Sequence, residues 1–81
     1  MAFSRSGNNE LEMKNKFAQR LKELRAEKNM TRYQLTLALN LGTVTVKRWE
    51  EGGNIPNAEY IVLLCEFFGC SADFLLGLKD E

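Results

Sequence analysis

Apolar residues recur at helical spacing from Phe17 onward, in five separate segments of the chain. In the first segment, Phe17, Leu21 and Leu24 share one face of a helix that we expect over residues 14–28. Residues 1–13 are mostly polar and contain a Gly-Asn-Asn run, so we expect a flexible N-terminal arm there.

The second segment predicts a short helix followed by a tight turn. Thr31 is a suitable N-cap, and Leu35 and Leu39 lie on one face of the helix that follows it. Asn40 comes next, and asparagine tolerates the left-handed conformation that a tight turn requires. We therefore expect a second helix that ends near Leu39 and a turn at Asn40.

The third segment, residues 43–51, is ambiguous by propensity alone. It opens with a run of β-branched residues, which is typical of strands. The helical spacing of Val46 and Trp49 and the charged run beside them favour a helix instead, with Gly42 as its N-cap.

Clear capping signals bound the last two segments. Asn57 and Ser71 are suitable N-caps, and Gly69 and Gly77 are suitable terminators. We expect a fourth helix over 58–68, a fifth over 72–76 and a short tail over 79–81. The pattern as a whole predicts an all-α protein with one domain over 14–78.

The charge is unevenly distributed, although the 81 residues carry no net charge. Residues 14–48 contain nine basic and two acidic side chains, whereas residues 49–81 contain one basic and seven acidic side chains. A basic half of this kind suits a polyanion bound on one side of the molecule, although charged helix faces exposed to solvent would give the same counts.

Few residues in the chain can support catalysis or bind a metal. It contains no histidine, and its two cysteines, Cys65 and Cys70, lie among apolar neighbours. We therefore expect reduced core cysteines in a cytoplasmic protein, with no catalytic residues, no metal site and no cofactor. Nothing at the N-terminus is typical of a signal peptide, and no apolar run is long enough to span a membrane.

Burial of the third helix determines which of its residues face outward. If positions 46, 49 and 50 point inward, the remaining positions expose a mixed set of hydroxyl, methyl and basic groups. Hydroxyl and methyl groups can contact base edges, and basic groups can contact guanine or phosphate. The outward set is Thr43, Val44, Lys47, Arg48 and Glu51.

The stretch from Thr31-Arg32-Tyr33-Gln34-Leu35-Thr36 through Lys47-Arg48-Trp49-Glu50 resembles, without a gap, the helix-turn-helix of the Cro and phage-repressor-like (Xre) family. The resemblance extends over residues 16–77. It includes Leu21-Lys22-Glu23-Leu24-Arg25 before the motif and Asp73-Phe74-Leu75-Leu76-Gly77 after it. It implies a compact five-helix, lambda-repressor-like DNA-binding domain with the motif at helices 2 and 3.

The resemblance also implies roles for individual residues. Arg25 and Glu50 match a pair that forms a buried, structural salt bridge in some family members. Thr36 stands where the family usually has a smaller residue at the helix crossing. The positions that match DNA-contacting residues are Arg32, Thr43, Val44, Thr45, Lys47 and Arg48.

The fourth helix is apolar on two sides, which indicates either burial or an interface. We expect a homodimer that uses Tyr60, Leu63 and Phe67, together with Phe74, in reading a palindromic operator. The alternative is that the N-terminal arm covers this surface through its own apolar residues, namely Phe3, Leu11 or Met13.

The leading functional hypothesis is a sequence-specific regulator of transcription that binds double-stranded DNA, acts as a repressor, and is of bacterial or phage origin. One alternative is the antitoxin of a toxin–antitoxin pair, in which the apolar surface binds the toxin. Another is a protein-interaction module that no longer binds DNA, although Lys47 and Arg48 argue against that loss.

Overall fold

The computed structural model describes residues 9–80, with side chains described from Leu11. Within that range the protein is all-helical, with five helices in the order that the sequence predicts. The expected fold class is therefore confirmed. The five helices are α1 (Asn9–Glu27), α2 (Arg32–Ala38), α3 (Thr45–Glu50), α4 (Ala58–Phe68) and α5 (Ala72–Leu75).

Helix α1 begins earlier than the sequence pattern indicated. It already includes residues 9–13, which we had assigned to a flexible arm, while residues 1–8 lie outside the described range. The segment Glu10–Lys14 contains only good helix formers, so the helix extends beyond its buried face on propensity. Leu11 and Met13 accordingly remain exposed.

Three helices begin at the expected N-caps. Thr31 accepts a hydrogen bond from the backbone of Gln34, whose side chain in turn accepts one from the backbone of Thr31, forming a capping box. Asn57 caps α4 and Ser71 caps α5 through the same kind of side-chain bond to the backbone three residues on. These local bonds satisfy N–H groups that the first turn of a helix leaves without partners.

Helix α3 begins without such a bond, and the expected cap at Gly42 is wrong. Its N-cap is Val44, which makes no side-chain capping bond. Gly42 instead lies in a turn before the helix, where its carbonyl accepts from the Thr45 backbone N–H at 3.1 Å. Residues 43 and 44 are β-branched and form this turn rather than a first helical turn.

Left-handed residues end the helices where the sequence predicted them. Asn29 after α1 has φ 55° and Asn40 after α2 has φ 54°. Gly69 ends α4 at φ 69°. A side chain in this region costs about 1–2 kcal/mol unless it is asparagine or the residue is glycine, so these positions are specific stops.

The core is formed by one apolar face from each helix. The Phe17 and Trp49 rings pack edge to face, with their centres 6.3 Å apart, and connect α1 to α3. Burying side chains of this size contributes about 1.5–3 kcal/mol each. The buried residues of the core cluster are Phe17, Leu21, Leu24, Leu35, Val46, Trp49, Ile61, Leu64 and Leu75.

None of the helices in residues 9–80 combines the length and the apolar character needed to cross a membrane.

Candidate nucleic-acid interface

Helices α2 and α3 are joined by a turn with its own hydrogen bonds. The backbone N–H of Leu41 donates to the carbonyl of Thr36 at 2.9 Å, and Asn40 supplies the left-handed residue between them. Thr36 is buried, and its hydroxyl donates to the carbonyl of Arg32 at 2.9 Å. The larger residue at the helix crossing is thus accommodated because its only polar atom is satisfied within α2.

One face of α3 is buried and the opposite face is exposed. Val46, Trp49 and Glu50 are the buried residues, as the spacing predicted. Lys47 and Arg48 lie exposed on the other side.

The residues at the start of α3 are exposed too. Val44 has 54% of its surface exposed and Thr43 is exposed, whereas Thr45 is half-buried. This exposed surface, formed by Thr43, Val44, Lys47 and Arg48, is called the α3 face below.

Glu50 anchors α3 to both preceding helices. Its side chain is fully buried, and its two oxygens accept from Arg25 Nε at 2.8 Å and Nη2 at 2.9 Å. This is the forked geometry in which arginine binds carboxylates most strongly. The two residues expected to pair are therefore in direct contact and connect α1 to α3.

Arg32 is also bonded to Glu50, which the sequence did not indicate. Its Nε donates to Glu50 Oε1 at 2.9 Å, and its side chain is 39% exposed. We expected Arg32 to act only on DNA, but the structure places it in a three-residue cluster with Arg25 and Glu50. The sequence signals only that the helix pattern buries a carboxylate, which needs a positively charged partner.

The ion cluster sets the protonation of its members. Burial by itself raises the pKa of the Glu50 carboxyl, but hydrogen bonds from Arg25 and Arg32 and their charges outweigh it and lower the pKa below its usual value. The hydrogen bond to Glu50 likewise raises the pKa of Arg25 against the opposing effect of burial. Glu50 and Arg25 are therefore both ionised at neutral pH.

Tyr60, at the start of α4, lies beside α3. Its ring packs on Trp49 at 5.7 Å, and both residues line a cleft of about 280 Å³ between α3 and the start of α4. The cleft also includes Val44 and Arg48, so it adjoins the α3 face.

The other apolar residues expected at a dimer interface are partly covered. The Phe67 ring packs on Phe68 at 5.0 Å, with the Lys28 ammonium 5.4 Å from its centre. The Arg20 guanidinium lies 4.2 Å from the centre of the Phe74 ring. Leu63 is half-buried.

Other apolar side chains are more exposed than these, and the sequence reasoning missed them. Val62 is 55% exposed, and Tyr33 and Leu37 are exposed on α2. Their exposure could have been predicted from their positions, which lie opposite the buried residues of the same helix.

The two cysteines lie together at the end of α4. The Cys70 backbone N–H donates to the Cys65 carbonyl at 3.1 Å, and both thiols are free. Burial, with Cys65 adding to it, raises the pKa of Cys70 to about 11, and burial also raises that of Cys65. Both are therefore protonated and weakly nucleophilic at neutral pH.

A short helix held across a second helix by a tight turn, with a basic exposed face, defines a helix-turn-helix DNA-binding domain. Comparison with known families agrees, since the family described as "Helix-turn-helix" matches residues 21–75, more than half of the chain. The chain belongs to this helix-turn-helix family, and the resemblance inferred from the sequence is confirmed.

Among curated proteins, the chain is similar to one from Enterococcus faecalis described as "HTH-type transcriptional activator BcrR". The two are 34% identical over 64 residues, which cover 79% of this chain and 31% of the relative. The chain thus spans about a third of the length of that relative. No solved structure gives a significant match.

Proposed function

We propose that the protein binds double-stranded DNA sequence-specifically, inserting α3 into the major groove, and that it regulates transcription in this way. The observation that carries the proposal is the division of α3 into a buried and an exposed side. Because Val46, Trp49 and Glu50 are buried, the helix has one fixed orientation. A major groove admits a helix presented in this manner.

The α3 face has the chemistry that base reading requires. The Val44 methyl groups can contact a thymine methyl, and the Thr43 hydroxyl can donate to or accept from a base edge. Lys47 and Arg48 can bind guanine or phosphate. Thr45, which is half-buried, contributes at the edge of this surface.

The distribution of charge supports the same orientation. The basic excess lies in residues 14–48, which contain most of α1, all of α2 and most of α3. The acidic excess lies in residues 49–81, which contain α4 and α5. The segment that forms the helix-turn-helix is therefore basic, which favours binding of a polyanion to it.

The test is selection from random duplexes, with sequencing of the retained DNA, followed by titration of the enriched site. The Lys47→Ala/Arg48→Ala double variant should bind that site about a hundredfold more weakly, because each side chain supplies a base or phosphate contact. Lys79→Ala is the matched control, since Lys79 is exposed and pairs with Asp73 on α5. Failure to enrich any sequence would overturn the proposal.

We propose further that the protein represses transcription where its operator overlaps a promoter. A domain bound there excludes the polymerase without any further contact. The Enterococcus faecalis relative is named an activator, but two thirds of its length lies outside the match. A reporter with the selected operator placed across a promoter should fall in expression, and a rise would contradict repression.

We propose that two copies bind a palindromic operator. Two recognition helices spaced by one helical turn, about 34–36 Å, would enter successive major grooves. Support comes from the apolar residues left partly exposed on α4, namely Tyr60, Leu63 and Phe67. Phe74 contributes less, because Arg20 covers one face of its ring. Sedimentation at high micromolar concentration should show a dimer, and a monomer there and on DNA would contradict it.

A further inference from the structure

The buried carboxylate of Glu50 is shared between two guanidinium groups. Arg25 donates to both of its oxygens, and Arg32 donates through Nε to Oε1. One negative charge is therefore surrounded by two positive charges, and the cluster has a surplus of one positive charge. Since Glu50 is fully buried, the surplus can reach solvent only through the two arginines.

The surplus charge emerges at Arg32. The remaining terminal nitrogen of Arg25, Nη1, donates to the Met30 carbonyl at 2.8 Å, and the Arg25 side chain is only 19% exposed. The Arg32 side chain is twice as exposed, and within residues 9–80 its Nη1 and Nη2 have no hydrogen-bond partner. Arg32 thus presents two terminal donors to solvent.

The guanidinium of Arg32 is held by Glu50, and the backbone that carries it is held separately. Glu50 holds Nε, and the backbone of Arg32 is held by the Thr36 hydroxyl that donates to its carbonyl. The capping box at Thr31 further fixes the start of the helix directly before it. A side chain restrained in this way loses less rotamer freedom when it binds an anion than a free arginine does.

We propose that Glu50 is a positioning residue for DNA binding, which holds Arg32 so that Nη1 and Nη2 bind one backbone phosphate. This inference rests on the proposed function, because the phosphate belongs to the DNA that α3 reads. A planar guanidinium with two free donors matches two oxygens of a phosphodiester, and arginine binds phosphate in this bidentate manner. Glu50 itself contacts no DNA.

Whether Glu50→Gln strengthens or weakens DNA binding distinguishes a positioning role of Glu50 from an effect of its charge alone. A carboxylate near a phosphate repels it, so charge alone predicts that Glu50→Gln binds DNA more tightly. If Glu50 positions Arg32, the same change weakens binding, because the neutral amide holds the guanidinium less strongly and less specifically. The weakening must also disappear when Arg32 is already absent.

The experiment measures the dissociation constant for the selected operator against salt concentration. The variants are Glu50→Gln, Arg32→Ala, Arg32→Lys and the Glu50→Gln/Arg32→Ala double variant, with circular dichroism verifying that each is folded. Arg32→Ala should bind about tenfold more weakly, and the slope of log K against log salt should fall by about 0.9 for each copy bound. Arg32→Lys should lose about fivefold although it retains the charge.

The outcomes separate the proposals. If Glu50→Gln weakens binding in the wild-type background but not beside Arg32→Ala, positioning is supported. If Glu50→Gln binds more tightly, or Arg32→Ala changes neither affinity nor slope, the inference is overturned while DNA binding stands. If the wild-type protein retains no duplex, the proposed function itself fails. Should Glu50→Gln be unfolded, Arg32→Ala and Arg32→Lys decide, because both leave the Arg25–Glu50 pair intact.

Discussion

Helices α3 and α4 are held in the fold by different kinds of interaction. Helix α3 has six residues and no side-chain N-cap, and it is fixed by Val46, Trp49 and the ion cluster of Glu50. Helix α4 has eleven residues, a side-chain N-cap at Asn57 and a left-handed C-cap at Gly69. Both helices bury apolar residues in the core, but only α4 also has a local capping signal at each end.

The difference follows from the cost of nucleating a helix. An isolated helix shorter than about 12–15 residues is marginal in water, so the six-residue α3 depends on the rest of the protein far more than the eleven-residue α4 does. The exposed side of α3 can then carry charged and polar residues that are not needed for folding. Changes in the contacts of α3 should therefore have larger effects on stability than changes in the caps of α4.

The largest effect is expected for Trp49→Ala. The Trp49 ring is buried, and its centre lies 6.3 Å from that of the Phe17 ring and 5.7 Å from that of the Tyr60 ring. Its removal therefore leaves a cavity between α1, α3 and α4. Unfolding in urea should show a loss of about 3–5 kcal/mol. Tyr33→Ala, an aromatic deletion on the exposed side of α2, should change the unfolding free energy by less than about 0.5 kcal/mol. Similar losses for the two variants would contradict the assignment of the core.

The second effect is that of the ion cluster. Glu50→Gln leaves two arginines facing a neutral amide at a buried site and should cost about 3 kcal/mol in the unfolding free energy at pH 7. A change below about 1 kcal/mol would show that the cluster contributes little to stability.

The cluster also gives stability a defined pH dependence. Because the pKa of Glu50 is lowered in the folded protein, the unfolded state binds more protons near and below the usual glutamate pKa of about 4.3. The stabilisation is therefore complete above that pH and is lost as the pH falls through the lowered pKa. Urea titrations should show Glu50→Gln losing less stability than the wild type over this acid range. An equal loss in both proteins would place the acid sensitivity elsewhere.

Elements with local signals could be predicted from the sequence, whereas the start of α3 could not. The caps at Thr31 and Asn57 and the left-handed stop at Asn40 were predictable, because each depends on residues within one turn. The buried side of α3 was predictable from its spacing. The start of α3 at Val44 was not, since no local signal marks it.

The contact between Glu50 and Arg32 was not predictable from the sequence either. The Arg32–Glu50 bond joins side chains 18 positions apart and depends on how α2 crosses α3. A linear pattern identifies which residues are buried, but it does not identify which of two arginines a buried carboxylate binds. Arg32 was therefore assigned to DNA alone.

A smaller effect is expected at the end of α4. Gly69 has φ 69°, and a Cβ added there would meet no atom within 4 Å. The cost of Gly69→Ala is therefore conformational only, about 1–2 kcal/mol, and should be visible in urea unfolding. Gly69→Asn is the control and should lose less, because asparagine tolerates the left-handed region. Equal losses for alanine and asparagine would point to lost contacts rather than backbone conformation.

The smallest effect is expected at the start of α4, where Asn57→Ala removes the acceptor for the Tyr60 backbone N–H at 3.1 Å. The loss should be about 1 kcal/mol, since water can reach the exposed N–H group once the cap is gone. Asn57→Ser retains an acceptor and should restore most of the stability, whereas Asn54→Ala, in the exposed loop before the helix, should change little. Because Tyr60 packs on Trp49, a loss above about 3 kcal/mol would show that the two helices are coupled through this ring pair. In that case the cap of α4 would act through tertiary contacts rather than locally, and the contrast between the two helices would not hold.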